Sequence, residues 1–94
     1  QALHDTLTGL PNRAYLLERL GVALEAYRSD RQQAFAVLFL DLDRFKVVND
    51  SVGHWVGDEM LKEASARIDA ELKAPDFVAR LGGDEFAVLI EAVE

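Results

Sequence analysis

The sequence predicts an α+β fold, in which an antiparallel-containing sheet of the split βαβ type is flanked by helices. A continuous apolar run over 34–40 is typical of a strand buried on both faces, and two segments with helical periodicity follow it. Two further apolar segments, 77–81 and 86–91, surround a Gly-Gly turn and predict a β-hairpin. In such a sheet the last strand lies antiparallel between the first two.

Three helices are predicted from the spacing of apolar residues. The first runs over 11–28, because its opening proline suits the first helical position and leucines follow at intervals of three and four residues. The second is a short helix over 44–50 that Gly53 closes. The third extends over 54–72, and Pro75 stops it.

Composition excludes several classes of function. A chain of 94 residues forms at most one small domain, and its net charge of −7 argues against a non-specific nucleic-acid-binding protein. The chain has no cysteine, so disulfides and thiolate metal sites are absent. The longest apolar run is too short to span a bilayer and no signal-peptide pattern occurs, so we expect a cytoplasmic location without membrane contact within these residues.

The segment over 34–40 resembles a central strand, yet the other predicted segments supply only one neighbour for it. A bare apolar edge is a liability that folded proteins avoid. We therefore expect residues 1–94 to be part of a larger domain, whose C-terminal part lies outside this sequence.

Two pairs of acidic residues follow or begin predicted strands. Asp41 and Asp43 come after the first strand, and Asp84 and Glu85 lie at the hairpin tip. Because the last strand is antiparallel to the first, we expect the hairpin tip to lie beside Asp41. Grouped carboxylates are hard ligands for Mg²⁺ or Mn²⁺, and a Gly-Gly pair lets a base or a phosphate approach the backbone. This combination favours phosphoryl-transfer chemistry.

Four ordered motifs make nearly the whole chain resemble the GGDEF domain of diguanylate cyclases. They are Asp5-Thr6-Leu7-Thr8-Gly9-Leu10-Pro11-Asn12-Arg13, Phe39-Leu40-Asp41-Leu42-Asp43-Arg44-Phe45-Lys46, Asn49-Asp50 with Gly53-His54 and Gly57-Asp58-Glu59, and Gly82-Gly83-Asp84-Glu85-Phe86. The resemblance implies a ferredoxin-like, nucleotide-cyclase palm-like sheet. It also implies that a homodimer condenses two GTP to cyclic di-GMP with release of two pyrophosphates, each 3′-hydroxyl attacking the α-phosphate of the opposite nucleotide.

The resemblance assigns roles to individual residues. Asp41 and Asp84 would bind Mg²⁺ or Mn²⁺ together with the Leu42 carbonyl. Asp84 or Glu85 would help to deprotonate the 3′-hydroxyl, and Lys46 would stabilise charge in the transition state. The residues implied in binding the guanine edge or the triphosphate are Asn49, Asp58, His54, Arg44, Phe45, Gly82 and Gly83.

Most of these residues also have a structural interpretation. The acids could merely solvate a strand end and a turn, and Asp58 could serve the dipole in the first turn of its helix. His54 could belong to the helix cap. Trp55 is expected to be a core or interface anchor, and the phenylalanines of the motifs, Phe45 and Phe86, to be core residues.

One segment departs from the family's pattern. Many members carry Arg-x-x-Asp before the Gly-Gly pair as a product-inhibition site, and Lys73 and Asp76 occupy the matching positions here. Lysine keeps the charge but lacks the planar fork that pairs with phosphate, so we expect weak or absent product inhibition. The alternative to an enzyme is an inactive GGDEF-like module that binds GTP or cyclic di-GMP and regulates an attached domain. In either case an N-terminal sensor or regulatory domain is expected outside this sequence.

Overall fold

A computed structural model describes residues 2–43 and 45–91, and these are the described residues below. Three helices and three strands occur in the order α1 (Arg13–Ser29), β1 (Phe35–Asp41), α2 (Phe45–Val52), α3 (His54–Ala70), β2 (Phe77–Gly82) and β3 (Glu85–Glu91). β3 lies between β1 and β2 and pairs antiparallel with both, so the predicted split βαβ order is confirmed. No helix within residues 2–43 and 45–91 is long and apolar enough to cross a membrane.

The start of α1 differs from the prediction, because Asn12 rather than the proline before it sets the helix boundary. Asn12 has extended backbone angles (φ −103°, ψ −174°), and its Oδ1 accepts a hydrogen bond from the Tyr15 N–H at 3.1 Å. Such an N-cap satisfies one of the unpaired donors of the first turn. The Pro11 carbonyl accepts from the Arg80 N–H at 2.9 Å, which joins the helix entry to β2.

The core lies on both faces of the sheet, because side chains alternate along β3. On one face Phe86 packs with Leu61 of α3, and on the other Leu89 packs with Leu16 of α1. Phe86 and Leu89 are completely buried, which confirms the predicted core position of Phe86. The strand that begins at the hairpin acids is therefore fixed from both sides.

The predicted burial of the first strand on both faces is wrong for the described residues. β1 lies at an edge of the described sheet, and Leu38, Phe39 and Leu40 are 48%, 73% and 38% exposed. Trp55 is 74% exposed, so it is not a core residue, and its alternative role as an interface anchor stays a prediction. That residues 1–94 belong to a larger domain stays a prediction.

Ser65 offers a test of the packing of α3. Its hydroxyl oxygen is buried and finds no hydrogen-bond partner in the described part of the chain, a state that costs about 1–3 kcal/mol, and alanine is also the better helix former. We expect Ser65→Ala to raise the free energy of unfolding, measured by urea denaturation, by about 1 kcal/mol. A lower free energy of unfolding in Ser65→Ala would contradict this account of the hydroxyl.

Candidate active site at the junction of β1 and the β2–β3 turn

The end of β1 and the start of β3 bring the two acidic pairs together. Asp41 and Glu85 are direct partners in the antiparallel register, and directly opposite side chains lie on one face of a sheet. The Leu42 N–H donates to the Asp84 carbonyl at 3.2 Å, which continues the contact beyond β1. The prediction that the hairpin tip lies beside Asp41 is confirmed, although β1 ends at Asp41 and Asp43 lies in the turn that follows.

The hairpin turn has a backbone that favours glycine. Gly82 has φ of 149° and Gly83 has φ of 50°, values that residues with a Cβ rarely adopt. Gly82 pairs with Glu85 after a register shift that follows Arg80, so the two residues of the turn are Gly83 and Asp84. Asp84 is half-buried in the turn, whereas Glu85 is exposed at the start of β3.

The charges at this junction favour a cation. Two carboxylates directly opposite each other repel, and Asp41 faces Glu85 in this way. The Leu42 carbonyl accepts a 3.4 Å hydrogen bond from the Phe45 N–H and keeps a second lone pair. Among the described residues, no group of three or more His, Cys, Asp or Glu side chains forms a metal cluster. The donor set is nevertheless all oxygen, which fits Mg²⁺ or Mn²⁺ with positions left for phosphate oxygens.

A cleft of about 390 Å³ opens beside Asp41 and Glu85. Its other lining residues are Arg13, Phe39, Leu40, Leu81 and Phe86. Arg13 is exposed at the start of α1 and brings a cationic side chain to a cleft that the two acids also line. Sequence reasoning assigned Arg13 no place in the site, because its position depends on how α1 packs over the sheet.

Arg80 connects the hairpin turn to the N-terminal segment. Its Nη1 donates to both carboxylate oxygens of Asp5 at 3.1 and 3.2 Å. Its Nε and Nη2 donate to the Gly83 carbonyl at 3.1 and 2.9 Å. The guanidinium fork thereby holds the turn that carries the acids. This pair was not predicted from the sequence, although a charged residue inside an apolar strand was an available signal.

The same contacts predict a pH dependence of stability. Burial raises the pKa of Asp5, but hydrogen bonds from Thr8 and Arg80 and the charge of Arg80 together hold it below its ordinary value of 3.8. Because the folded-state pKa is the lower one, the stabilisation is complete above the unfolded value and is lost as pH falls through the folded value. We expect the free energy of unfolding in urea to decrease below about pH 4, and to decrease less in Asp5→Asn. If the free energy of unfolding decreases as much at low pH in Asp5→Asn as in the wild type, this assignment is contradicted.

The predicted guanine-binding residues lie on α2 and α3. Asn49 is half-buried, and its Oδ1 is buried where α2 meets α3 without a hydrogen-bond partner among the described residues. His54 is exposed at the start of α3, and Asp58 is exposed beyond the first turn, which contains no acidic residue. The interpretation of Asp58 as a first-turn acid is therefore wrong. On α2, Lys46 is exposed.

The remaining predicted site residues differ in their burial and contacts. Phe45 is half-buried and packs against the core, whereas Arg44 lies outside the described residues. Lys73 is exposed. The Asp76 carboxylate accepts a hydrogen bond from the Glu91 N–H at 2.9 Å, so Asp76 supports the end of β3. Weak product inhibition stays a prediction.

Comparison with known proteins identifies relatives of this chain. The family model described as "Diguanylate cyclase, GGDEF domain" matches residues 2–94. The chain is 58% identical over 94 residues to the bifunctional diguanylate cyclase/cyclic di-GMP phosphodiesterase MucR of Pseudomonas aeruginosa. It is 54% identical over 90 residues to the diguanylate cyclase TpbB of the same species. The matches include 99% and 96% of this chain but 13% and 20% of the two relatives.

A solved structure confirms the fold. A sensory box/GGDEF family protein from Caulobacter crescentus superposes with a TM-score of 0.91 at 45% identity. The superposition covers 99% of this chain and 59% of that chain. The chain thus spans part of the length of each of these proteins.

Proposed function

Since the chain belongs to the GGDEF family of diguanylate cyclases, we propose that the protein containing it condenses two GTP to cyclic di-GMP and two pyrophosphates. The observation that carries the proposal is the pairing of Asp41 with Glu85. Next to this pair, the Asp84 carbonyl accepts a hydrogen bond from the Leu42 N–H. This pairing gathers acidic groups and turn backbone at one point, where a nucleoside triphosphate with its cation would be held.

The cation would be held by the carboxylates of Asp41 and Asp84 and by the Leu42 carbonyl. Glu85 lies opposite Asp41 in the register and belongs to the same acidic group. A bound Mg²⁺ or Mn²⁺ supplies charge neutralisation at the phosphates and a lower pKa of the attacking 3′-hydroxyl.

The protein's own groups would orient and activate the substrate. Asp84 or Glu85 would accept the proton of the 3′-hydroxyl as it attacks the α-phosphate of the opposite nucleotide. α2 begins directly after the acidic junction, and the positive end of a helix dipole favours phosphate. Lys46, exposed in that turn, would stabilise charge on the reacting phosphate, and Arg44 is proposed to contact the same triphosphate.

The guanine base would lie against the α2–α3 contact. The Asp58 carboxylate would accept hydrogen bonds from guanine N1–H and the 2-amino group, and the Asn49 amide would bind another atom of the base edge. His54 lies four residues before Asp58, on the exposed start of α3, and is proposed to line the same pocket. Gly82 and Gly83 would allow close approach of the nucleotide to the hairpin backbone.

Catalysis would require two copies of the domain. Each copy would hold one GTP, and the two 3′-hydroxyls must each reach the opposite α-phosphate, so we propose a homodimer. A sensor or regulatory domain on the N-terminal side would control the encounter of the two copies. A GTP-consuming activity of this kind would act in the cytoplasm, which is the location we propose.

Product analysis tests the proposal. The full-length protein is incubated with GTP and Mg²⁺, and the products are separated by chromatography. We expect cyclic di-GMP and pyrophosphate in the ratio that the condensation requires. Saturable binding of GTP or cyclic di-GMP without product would favour the regulatory module instead. A protein that forms no product and binds neither nucleotide would contradict both functions.

A further inference from the structure

We propose that Gly57 is a positioning residue for recognition of the nucleotide base. Its missing side chain lets the Asn49 amide insert between α2 and α3, which sets the position of the polar groups that Asn49 presents to a ligand. This inference rests on the proposed function and adds a determinant of base specificity to it.

The space at Gly57 is filled by the Asn49 side chain. A Cβ built on Gly57 would overlap Asn49 Oδ1 and would lie 2.9 Å from Asn49 Cγ, whereas the next neighbour, Phe45 Cε1, is at 3.4 Å. Gly57 lies inside α3 and is not among the glycines with positive φ, so space rather than backbone conformation excludes a side chain here. In a helix interior, glycine without such a reason is less favourable than alanine.

Backbone hydrogen bonds fix the same two residues relative to each other. The Gly53 N–H donates to the Asn49 carbonyl at 3.1 Å, and the Gly57 N–H donates to the Gly53 carbonyl at 3.3 Å. The end of α2 and the first turn of α3 are thus linked through Gly53. These bonds fix the position of Asn49 relative to α3, and therefore the position of its amide between the two helices.

The placement of the Asn49 amide limits what it can recognise. Oδ1 is buried and has no hydrogen-bond partner among the described residues, while the residue as a whole is half-buried. Nδ2, which carries two N–H donors, is not among the buried atoms that lack a partner. Asn49 would donate to an acceptor of the base, guanine O6 or N3, and complement the acceptor carboxylate of Asp58.

The contact itself is tested by a double-mutant cycle in melting temperature, using the full-length protein. Gly57→Ala is expected to lower the melting temperature when Asn49 is present. It is expected not to lower it in the Asn49→Ala background, because the remaining neighbours lie at 3.4 Å or beyond. Gly21→Ala in α1 is the matched control, since a Cβ at Gly21 meets nothing within 4 Å. Equal losses in both backgrounds would overturn the inference, and so would an unfolded Gly57→Ala that Asn49→Ala does not rescue.

The role in recognition is tested by calorimetry with 3′-deoxy-GTP, which lacks the attacking hydroxyl and cannot be condensed. Gly57→Ala is expected to weaken its affinity at least about tenfold, as does Asn49→Ala, and the double variant is expected to be no weaker. Affinity for inorganic tripolyphosphate with Mg²⁺ should change less than about twofold, because it reports only the phosphate contacts. If Gly57→Ala loses affinity for 3′-deoxy-GTP and for tripolyphosphate to the same extent, the positioning role is overturned.

The outcomes separate this inference from the function on which it rests. If the wild-type protein binds 3′-deoxy-GTP no more tightly than tripolyphosphate, base recognition fails, and the positioning role fails with it. If the wild-type protein discriminates between the probes but Gly57→Ala discriminates equally well, only the role of Gly57 is overturned.

Discussion

Asp41→Asn is expected to lower the rate of cyclic di-GMP formation by about a thousandfold or more, measured by product chromatography under saturating GTP and Mg²⁺. Asparagine keeps the size of the side chain but removes the negative charge that faces Glu85 at the end of β1. Without that charge the acidic junction would hold a divalent cation poorly, and the 3′-hydroxyl and the phosphates would lose their main source of charge stabilisation.

Asp69→Asn is the matched control for this change. Asp69 is exposed near the C-terminal end of α3 and does not line the cleft at the acidic junction, and the substitution makes the same chemical change. We expect it to keep activity within about twofold of the wild type. Equal rates for Asp41→Asn and Asp69→Asn, with unchanged circular dichroism spectra, would contradict the role of Asp41.

Arg80→Lys is expected to lower the free energy of unfolding by about 2–3 kcal/mol and to reduce turnover as well. The Arg80 and Asp5 side chains are only 14% and 20% exposed, so the contact is shielded from solvent. A single ammonium group cannot reproduce the fork that reaches the Asp5 carboxylate and the Gly83 carbonyl together. Since the turn carries Asp84, loss of this anchor loosens the proposed catalytic group.

The control for this substitution is Arg67→Lys. Arg67 pairs with Glu63 at 2.7 Å, but their side chains are 78% and 66% exposed, and pairs of this kind contribute little. We expect a change in the free energy of unfolding below about 0.5 kcal/mol in urea denaturation. If Arg80→Lys lowers the free energy of unfolding no more than Arg67→Lys does, the contacts of Arg80 do not stabilise the hairpin.

The fold was predictable because its signals are local. The hairpin follows from two apolar segments around a Gly-Gly pair, and the helices follow from leucine spacing and from Gly53, whose φ is 94°. Antiparallel order then placed the hairpin tip beside Asp41 without further information, and the register pairs Asp41 with Glu85. That part of the site follows from sequence and topology alone.

The supporting contacts could not be predicted in this way, because they join distant segments through side-chain geometry. Arg80 binds Asp5 across most of the chain, and no periodicity marks either residue as a partner of the other. Gly57 has no unusual backbone angle, so only the position of Asn49 explains it. Burial of β1 was predicted from an apolar run, but burial depends on neighbours that local sequence does not specify.

The proposed function depends most directly on whether the acidic junction binds nucleotide through a divalent cation. Binding of 3′-deoxy-GTP to the full-length protein is measured by calorimetry with Mg²⁺ and with a chelator, for the wild type and for Asp41→Ala. We predict tight binding by the wild type with Mg²⁺, and weak binding both without Mg²⁺ and by Asp41→Ala under either condition. An unchanged Mg²⁺-dependent affinity in Asp41→Ala would show that Asp41 does not help to hold the cation that binds the nucleotide.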